Sequence, residues 1–230
     1  MADRPYTLLS CGVSLDGYLD DASSRRLMLS NDADLDRVDA VRAGCDAILV
    51  GAATIRNDNP RLVVRSPARR DERTARGLGP TPTKVTMTAG GQLDPGASFF
   101  TTGRAEKLVY TATCAAALAR TRLGSVATVV DAGPTVDLAW MGDDLHSRGV
   151  GRLMVEGGGS TLTQFLTADL ADELDLVVAP FFVGDSRGRR LVGDGRFPWN
   201  ADRRAELADV CRIGDVVLLR YALSARFEMD

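Results

Sequence analysis

The sequence predicts an α/β fold: a mostly parallel central sheet, helices on both faces and antiparallel C-terminal strands. Two observations carry this. Short apolar runs alternate along most of the chain with segments of helical period, the pattern of strands joined by crossover helices. The chain then closes on Ala205 to Arg212 and Asp215 to Leu223, joined at Gly214, which read as an antiparallel hairpin.

Taken in order, Tyr6 to Ser14 is an apolar run with β-compatible residues, closed by Ser14-Leu-Asp-Gly17. Asp16 and Gly17 suit an Asx-type turn there. Asp20 to Asn31 is polar and irregular. From Asp34 to Arg42, Leu35, Val38 and Val41 recur at helical spacing, with acids in the first turn and Gly44 beyond the end as a C-cap. Ala47 to Val50 is a buried strand ending at Gly51. The stretch Gly51 to Arg65 then carries arginines, Thr54 and Asp58. Its composition reads as a solvated loop turning at Asn57 to Pro60, although ligands bind at such strand ends in open α/β sheets.

Ser66 to Pro82 and Ala89 to Gly103 read as surface loops on either side of a strand from Lys84 to Thr88. Leu108 to Tyr110 and Val126 to Asp131 are further strands, with helices at Ala115 to Arg122 and Leu138 to Arg148. Glu173 to Val178 is a strand, and Phe181 to Trp199 is rich in glycine and arginine.

The stretch from Arg152 to Leu166 carries the most chemistry. Leu153 to Val155 is a short buried strand, ended by Glu156 and three glycines. Ser160 and Thr161 then open an amphipathic segment with Leu162, Phe165 and Leu166 on one face. A strand, a glycine turn and a helix N-terminus aim free N–H groups and a positive dipole end at an anion, most simply a phosphate or pyrophosphate. Glycine lets the ligand come close because no Cβ intervenes. A plain flexible entry to a helix accounts for three glycines equally well. The dinucleotide fingerprint G-x-G-x-x-G is not met, because Gly157, Gly158 and Gly159 are consecutive and Leu162 takes the last glycine's place. Asp175 has the spacing of that fingerprint's acid but lies inside an apolar strand pattern.

Composition narrows the function. A chain of 230 residues, 45% hydrophobic and 26% charged, has the length and make-up of a soluble globular protein. No internal repeat, low-complexity tract or linker divides residues 1–230, so a single domain is expected. A net charge of −3 gives no basic footprint for nucleic acid. No apolar run approaches the ~20 residues of a membrane span, and the first nine residues lack a signal peptide's apolar core, so a cytoplasmic protein without a membrane partner is expected. Cys11, Cys45, Cys114 and Cys211 are widely spaced and three adjoin apolar runs, which suggests buried free thiols. The one histidine, His146, lies in a polar helical stretch and is expected at the surface, so no metal site and no Ser-His-Asp triad are expected.

Together these stretches resemble the reductase domain of riboflavin biosynthesis, which has a dihydrofolate-reductase-like fold. The resemblance rests on Ser14-Leu-Asp-Gly17, Arg42-Ala with Asp46 to Gly51, and Thr54 followed by Asp58-Asn-Pro-Arg-Leu62 with Arg65. It continues through Val155-Glu-Gly-Gly-Gly, Asp172-Glu-Leu with Ala179-Pro, and Gly214-Asp-Val with Tyr221, in the family's order over nearly the whole chain. It implies a homodimeric, NADPH-dependent reductase that converts the ribosyl group of 5-amino-6-(5-phosphoribosylamino)uracil, a phosphorylated pyrimidine, to ribityl. Position by position, Gly12, Gly51, Thr54 and Asp58 match cofactor contacts, as do Gly157, Gly158, Gly159, Ser160, Thr161, Leu162 and Thr163. Arg42, Leu62, Arg65 and Glu156 match substrate contacts. Two arginines suit a phosphate and its polyol, since a guanidinium offers paired donors. Glu156 is also the candidate catalytic residue, as a hypothesis of proton transfer.

The chain departs from the bacterial pattern at Ser10, where many members have lysine and archaeal and fungal-type relatives have serine. Arg26 and Met28 stand at the positions of a serine and a tryptophan, and Ala89 at that of a serine near the cofactor. The zinc deaminase signature H-x-E with P-C-x-x-C is absent, so a bifunctional deaminase–reductase is not expected. Arg56 and Thr88 are candidates for a 2′-phosphate partner. The alternatives are a dihydrofolate- or pteridine-type or specialised reductase on the same fold, and a non-catalytic NADPH-binding module.

Overall fold

In the computed structural model, which describes residues 4–23 and 27–227, the apolar runs fold as strands and the periodic segments as helices. The chain begins β1 (Tyr6–Ser14), α1 (Asp32–Gly44), β2 (Ala47–Gly51), α2 (Ala52–Asp58), α3 (Pro67–Ala75) and β3 (Thr83–Thr88). It continues α4 (Ser98–Thr101), β4 (Lys107–Thr111), α5 (Thr113–Leu123), β5 (Thr128–Asp131) and α6 (Leu138–Ser147). Last come β6 (Arg152–Val155), α7 (Gly159–Thr167), β7 (Glu173–Ala179), β8 (Glu206–Ile213) and β9 (Val216–Ala222). Arg26 lies outside the described residues.

Contacts cluster into two units, each made of two chain segments: residues 4–5 with Asp39–Met154, and Tyr6–Val38 with residues 155–227. In the first unit the strand order is β5-β4-β3-β2-β6, and β2, β3, β4 and β5 pair in parallel. Its core packs Ile48 and Val50 of β2 with Ile55, Leu62, Leu93, Phe99, Phe100, Val109 and Leu123. β2 is buried along its whole length, which is why its sequence is an unbroken apolar run.

In the second unit the order is β1-β7-β9-β8. β1 pairs β7 in parallel, from Leu8 opposite Glu173 to Ser14 opposite Ala179. β9 runs antiparallel to both β7 and β8, as the terminal hairpin predicts. β7 alternates buried and half-buried residues, so Asp175 points inward and is 3% exposed. Arg37 reaches it at 2.8 Å and Arg220 at 3.5 Å. Burial nonetheless raises its pKa to about 6, against the opposing pull of Arg37. Asp175 therefore belongs to a buried ion network, which accounts for it without a ribose contact.

Three expectations are corrected. The stretch Gly51 to Arg65 is not simply a loop, because α2 occupies its first half, with Ile55 buried and Asn59 closing it at φ 43°. Ser66 to Pro82 contains α3, a polar helix with no apolar stripe to announce it; Ser66 caps it and Pro67 opens it. Ala89 to Gly103 contains the single turn α4, whose Phe99 and Phe100 are buried. The buried Lys84 ties this turn down, donating to the carbonyls of Phe99 (3.1 Å) and Thr102 (2.7 Å), while burial lowers its pKa to about 8. A smaller difference is that Gly44 is the last residue of α1 rather than lying beyond it.

The cysteines are free, but only Cys45 is buried. Cys11 is half-buried, and Cys114 and Cys211 are exposed, because short apolar neighbours on a helix start and an edge strand do not cover them. His146 is exposed, as expected. Among the described residues no helix is long and apolar enough to cross a membrane.

Candidate active site

The first unit gathers its site residues after β2. Gly51 ends the strand in extended conformation and leads directly into α2. Thr54 is half-buried on that helix and Asp58 is its exposed last residue. Ile55 of α2 and Leu62 share one core cluster, which fixes the helix against the following loop. Leu62 is 3% exposed with a positive φ of 46°, so its side chain is core and its backbone makes the turn. Arg42, on α1, donates to the carbonyl of Val63 at 3.4 Å.

Arg65 is aimed by its backbone. Its N–H donates to Asp39 at 2.5 Å, and Ser66 N–H and the Arg69 guanidinium join the same carboxylate at 3.1 and 3.0 Å. Burial alone would raise the Asp39 pKa, but these donors outweigh it and hold the carboxyl below its ordinary value. The Arg65 guanidinium lies 3.7 Å from Asp39 with its side chain half exposed. Of the two arginines in the predicted substrate set, Arg65 lies in this loop and Arg42 reaches the loop backbone from α1. Arg56 and Thr88 converge on one turn: Arg56 donates to the carbonyl of Gln92 at 3.5 Å, and Thr88 Oγ1 accepts from Gly91 N–H at 3.2 Å.

The second unit holds the glycine turn. Gly157 and Gly158 adopt φ of 95° and 85°, and Gly158 is the N-cap of α7. Thr161 N–H bonds back to the Gly158 carbonyl at 2.9 Å, and the buried Thr161 and Leu162 anchor the helix in the core. The first-turn N–H groups of Gly159 and Ser160 are those an α-helix leaves without an internal partner. Glu156, half-buried, precedes the turn. In β1, Gly12 lies so close to Leu29 that an added Cβ would stand 3.1 Å from the leucine Cβ. Ser10 is buried on the same strand, and Met28 is exposed.

A cleft of about 630 Å³ opens at this helix start, lined by Gly159, Ser160, Thr163 and Gln164 with Arg189, Arg190 and residues 192–194. Thr163 Oγ1 donates to the Gly159 carbonyl at 2.6 Å and accepts from Gly193 N–H at 2.9 Å. The two arginines escaped the sequence reading. Their signal was the glycine- and arginine-rich stretch itself, whose partner cannot be told from composition. The donor set suits a phosphate group: a helix N-terminus, the Ser160 hydroxyl and the Arg190 guanidinium, with Arg189 already paired to Asp20 and Asp194 the one carboxylate of the lining.

The RibD C-terminal domain description matches residues 5–219. The chain belongs to the RibD C-terminal domain family. Its relatives include two enzymes named 2,5-diamino-6-ribosylamino-4(3H)-pyrimidinone 5′-phosphate reductase. The Archaeoglobus fulgidus enzyme is 33% identical over 97% of this chain and 99% of its own. The Methanothermobacter thermautotrophicus enzyme is 32% identical over 96% and 99%. Among solved structures, a pyrimidine reductase-like protein from Corynebacterium diphtheriae superposes with a TM-score of 0.80 at 22% identity, covering 95% of this chain and 91% of its own. Dihydrofolate reductase from Enterococcus faecalis superposes at 0.51 and 12% identity, covering 94% and 95%, so the RibD C-terminal fold here is dihydrofolate-reductase-like. The relatives at 33% and 32% identity are named reductases, and the chain is accordingly an oxidoreductase.

Proposed function

We propose that this protein is an NADPH-dependent reductase that converts the ribosyl group of a phosphorylated aminopyrimidine to ribityl. The observation that carries the reading is the 33% identity with a named reductase of this kind over 97% of the chain. The relatives' name favours the diaminopyrimidinone, in which the ring amino group is still present, over the uracil that the resemblance first implied. Ser10, the residue of archaeal and fungal-type relatives, supports the same choice.

A reduced nicotinamide supplies the hydride in this chemistry. The protein's part is to bind, orient and exclude water. The Gly157, Gly158 and Gly159 turn with Ser160, Thr161 and Leu162 holds the cofactor's diphosphate through backbone N–H groups, and Gly12, Gly51, Thr54 and Asp58 complete its contacts. The Thr88 turn with Arg56 takes the 2′-phosphate. Arg42 and Arg65 hold the substrate phosphate and polyol, with Leu62 beside them. Glu156 accepts hydrogen bonds from the opened sugar's hydroxyl or amino groups and governs proton transfer there. Residues 1–230 act as one reductase domain, and the family description runs through both units without interruption. A homodimer completes the reading, as the family resemblance implies.

The test is NADPH oxidation with the diaminopyrimidinone ribosyl phosphate, the uracil ribosyl phosphate and dihydrofolate in parallel. Turnover is expected on the first, with Arg65→Ala reducing kcat/KM roughly tenfold or more through loss of a charge-assisted contact. Glu156→Gln is expected to lower the hydride-transfer rate by more than it weakens substrate binding. Turnover on dihydrofolate alone would move the protein out of the pathway.

A further inference from the structure

Residues 185–194 form a strap across the glycine turn, and the assigned roles above leave its side chains unused. The strap is pinned at several points of the backbone. Leu19 N–H donates to the Arg189 carbonyl at 2.7 Å, Leu191 N–H donates to the Gly17 carbonyl at 3.0 Å, and Tyr18 pairs with Arg190 as an isolated antiparallel bridge. Gly193 is held by Thr163 of α7.

The arginines of this strap are not alike. Arg187 is paired with Asp185 and Arg189 with Asp20. Arg190 instead lies over the ring of Tyr18, its guanidinium carbon 4.4 Å from the centroid. It donates to the Tyr18 hydroxyl at 3.0 Å and to the Asp16 carbonyl at 3.3 Å. Tyr18 is 4% exposed, so the platform is fixed. Among the described residues no carboxylate pairs with Arg190, and every partner it has is neutral. A guanidinium fixed by neutral groups keeps its full charge for an incoming anion and loses little side-chain freedom on meeting one. Arg190 lines the same cleft as Gly159 and Ser160, and its carbonyl would stand 2.7 Å from a Cβ added at Gly159.

We propose that Arg190 is an anion-binding residue of the cofactor site, presenting its charge to the phosphate held at the 157–160 turn. This rests on the nicotinamide-cofactor reading. The chemistry recognised is a phosphate ester or diphosphate, which both the cofactor and the pyrimidine substrate carry, and the test separates them.

NADPH binding to the full-length protein would be titrated by its fluorescence, at several salt concentrations, for wild type, Arg190→Met and Arg190→Lys. Arg190→Met keeps an apolar stem over Tyr18 and removes the charge. It is expected to weaken NADPH binding tenfold or more, with Arg190→Lys between it and wild type. Its affinity should also fall less steeply with salt than that of wild type, which a purely structural role would not produce. The KM for the pyrimidine phosphate should change by less than about threefold. Tyr18→Phe, which loosens the arginine and keeps its charge, should weaken NADPH binding less and leave the salt slope in place.

Wild-type affinity and salt slope in Arg190→Met would overturn the assignment while leaving the cofactor reading intact. A loss confined to the pyrimidine KM would also overturn it, by giving the charge to the substrate. No NADPH affinity in wild type would overturn both.

Discussion

Gly157, Gly158 and Gly159 are identical letters with different duties. Gly157 has φ of 95° and open space where a Cβ would go, so only its backbone conformation requires glycine. Gly158 needs its φ of 85° as the N-cap of α7. Gly159 is required by proximity: a Cβ there would stand 2.7 Å from the Arg190 carbonyl, a backbone atom that cannot swing aside. Gly157→Ala is therefore expected to cost about 1–2 kcal/mol of stability from left-handed strain, with the strap in place. Gly159→Ala is expected to push the strap away and to weaken NADPH binding more than Gly157→Ala does. Unfolding midpoints with parallel NADPH titrations check this, and equal affinities in the two variants would detach the strap from the site. The run of glycines between a strand and a helix was legible in the sequence. Which glycine does what was not, because Gly159's constraint comes from a carbonyl 31 positions away, and Arg190's role from a ring at Tyr18.

At the scale of elements, the long apolar runs were legible and the short polar helices were not. β1, a largely buried apolar run, was expected where it lies, and the terminal hairpin within a residue or two, although its strand β8 is mostly exposed. α3 has no such stripe. Its buried anchor is Arg73, 3% exposed, which donates to Gly79 (2.9 Å), Ala43 (2.8 Å) and Cys45 (2.7 Å) carbonyls. An arginine in a polar segment reads as surface until its acceptors are known. Its start was nevertheless written locally, as Ser66 before Pro67. Arg73→Met should leave those carbonyls without their donor and cost roughly 2–4 kcal/mol, measured by urea unfolding. A cost under about 1 kcal/mol would mean that water replaces the guanidinium there.

Over the whole chain, the succession of strands and helices along the sequence was legible, whereas the order of strands in the sheet and the division into two units were not. The chain passes between units at Pro5, Val38 and Met154, and the last of these lies inside β6, where composition does not change. Burial likewise belongs to the assembled fold rather than to neighbours in sequence, and the four cysteines make this measurable. Cys114 stands exposed at the start of α5 and Cys211 exposed on β8, while Cys45 is buried. Cys11 is half-buried, and its burial, aided by the charge of Asp175, pushes the thiol up to about 12, far from the thiolate that reacts. A thiol titration with an aromatic disulfide reagent at pH 8 should therefore find two fast thiols in the native protein and four after unfolding in guanidinium. Reducing agent should leave the unfolding midpoint unchanged, since no disulfide joins any pair of the four. One fast thiol instead of two, with the second appearing on dilution, would put Cys211 and the edge strand β8 in the interface of the proposed homodimer. That edge is suited to it: Leu207 and Val210 are 51% and 56% exposed on a strand paired along one side.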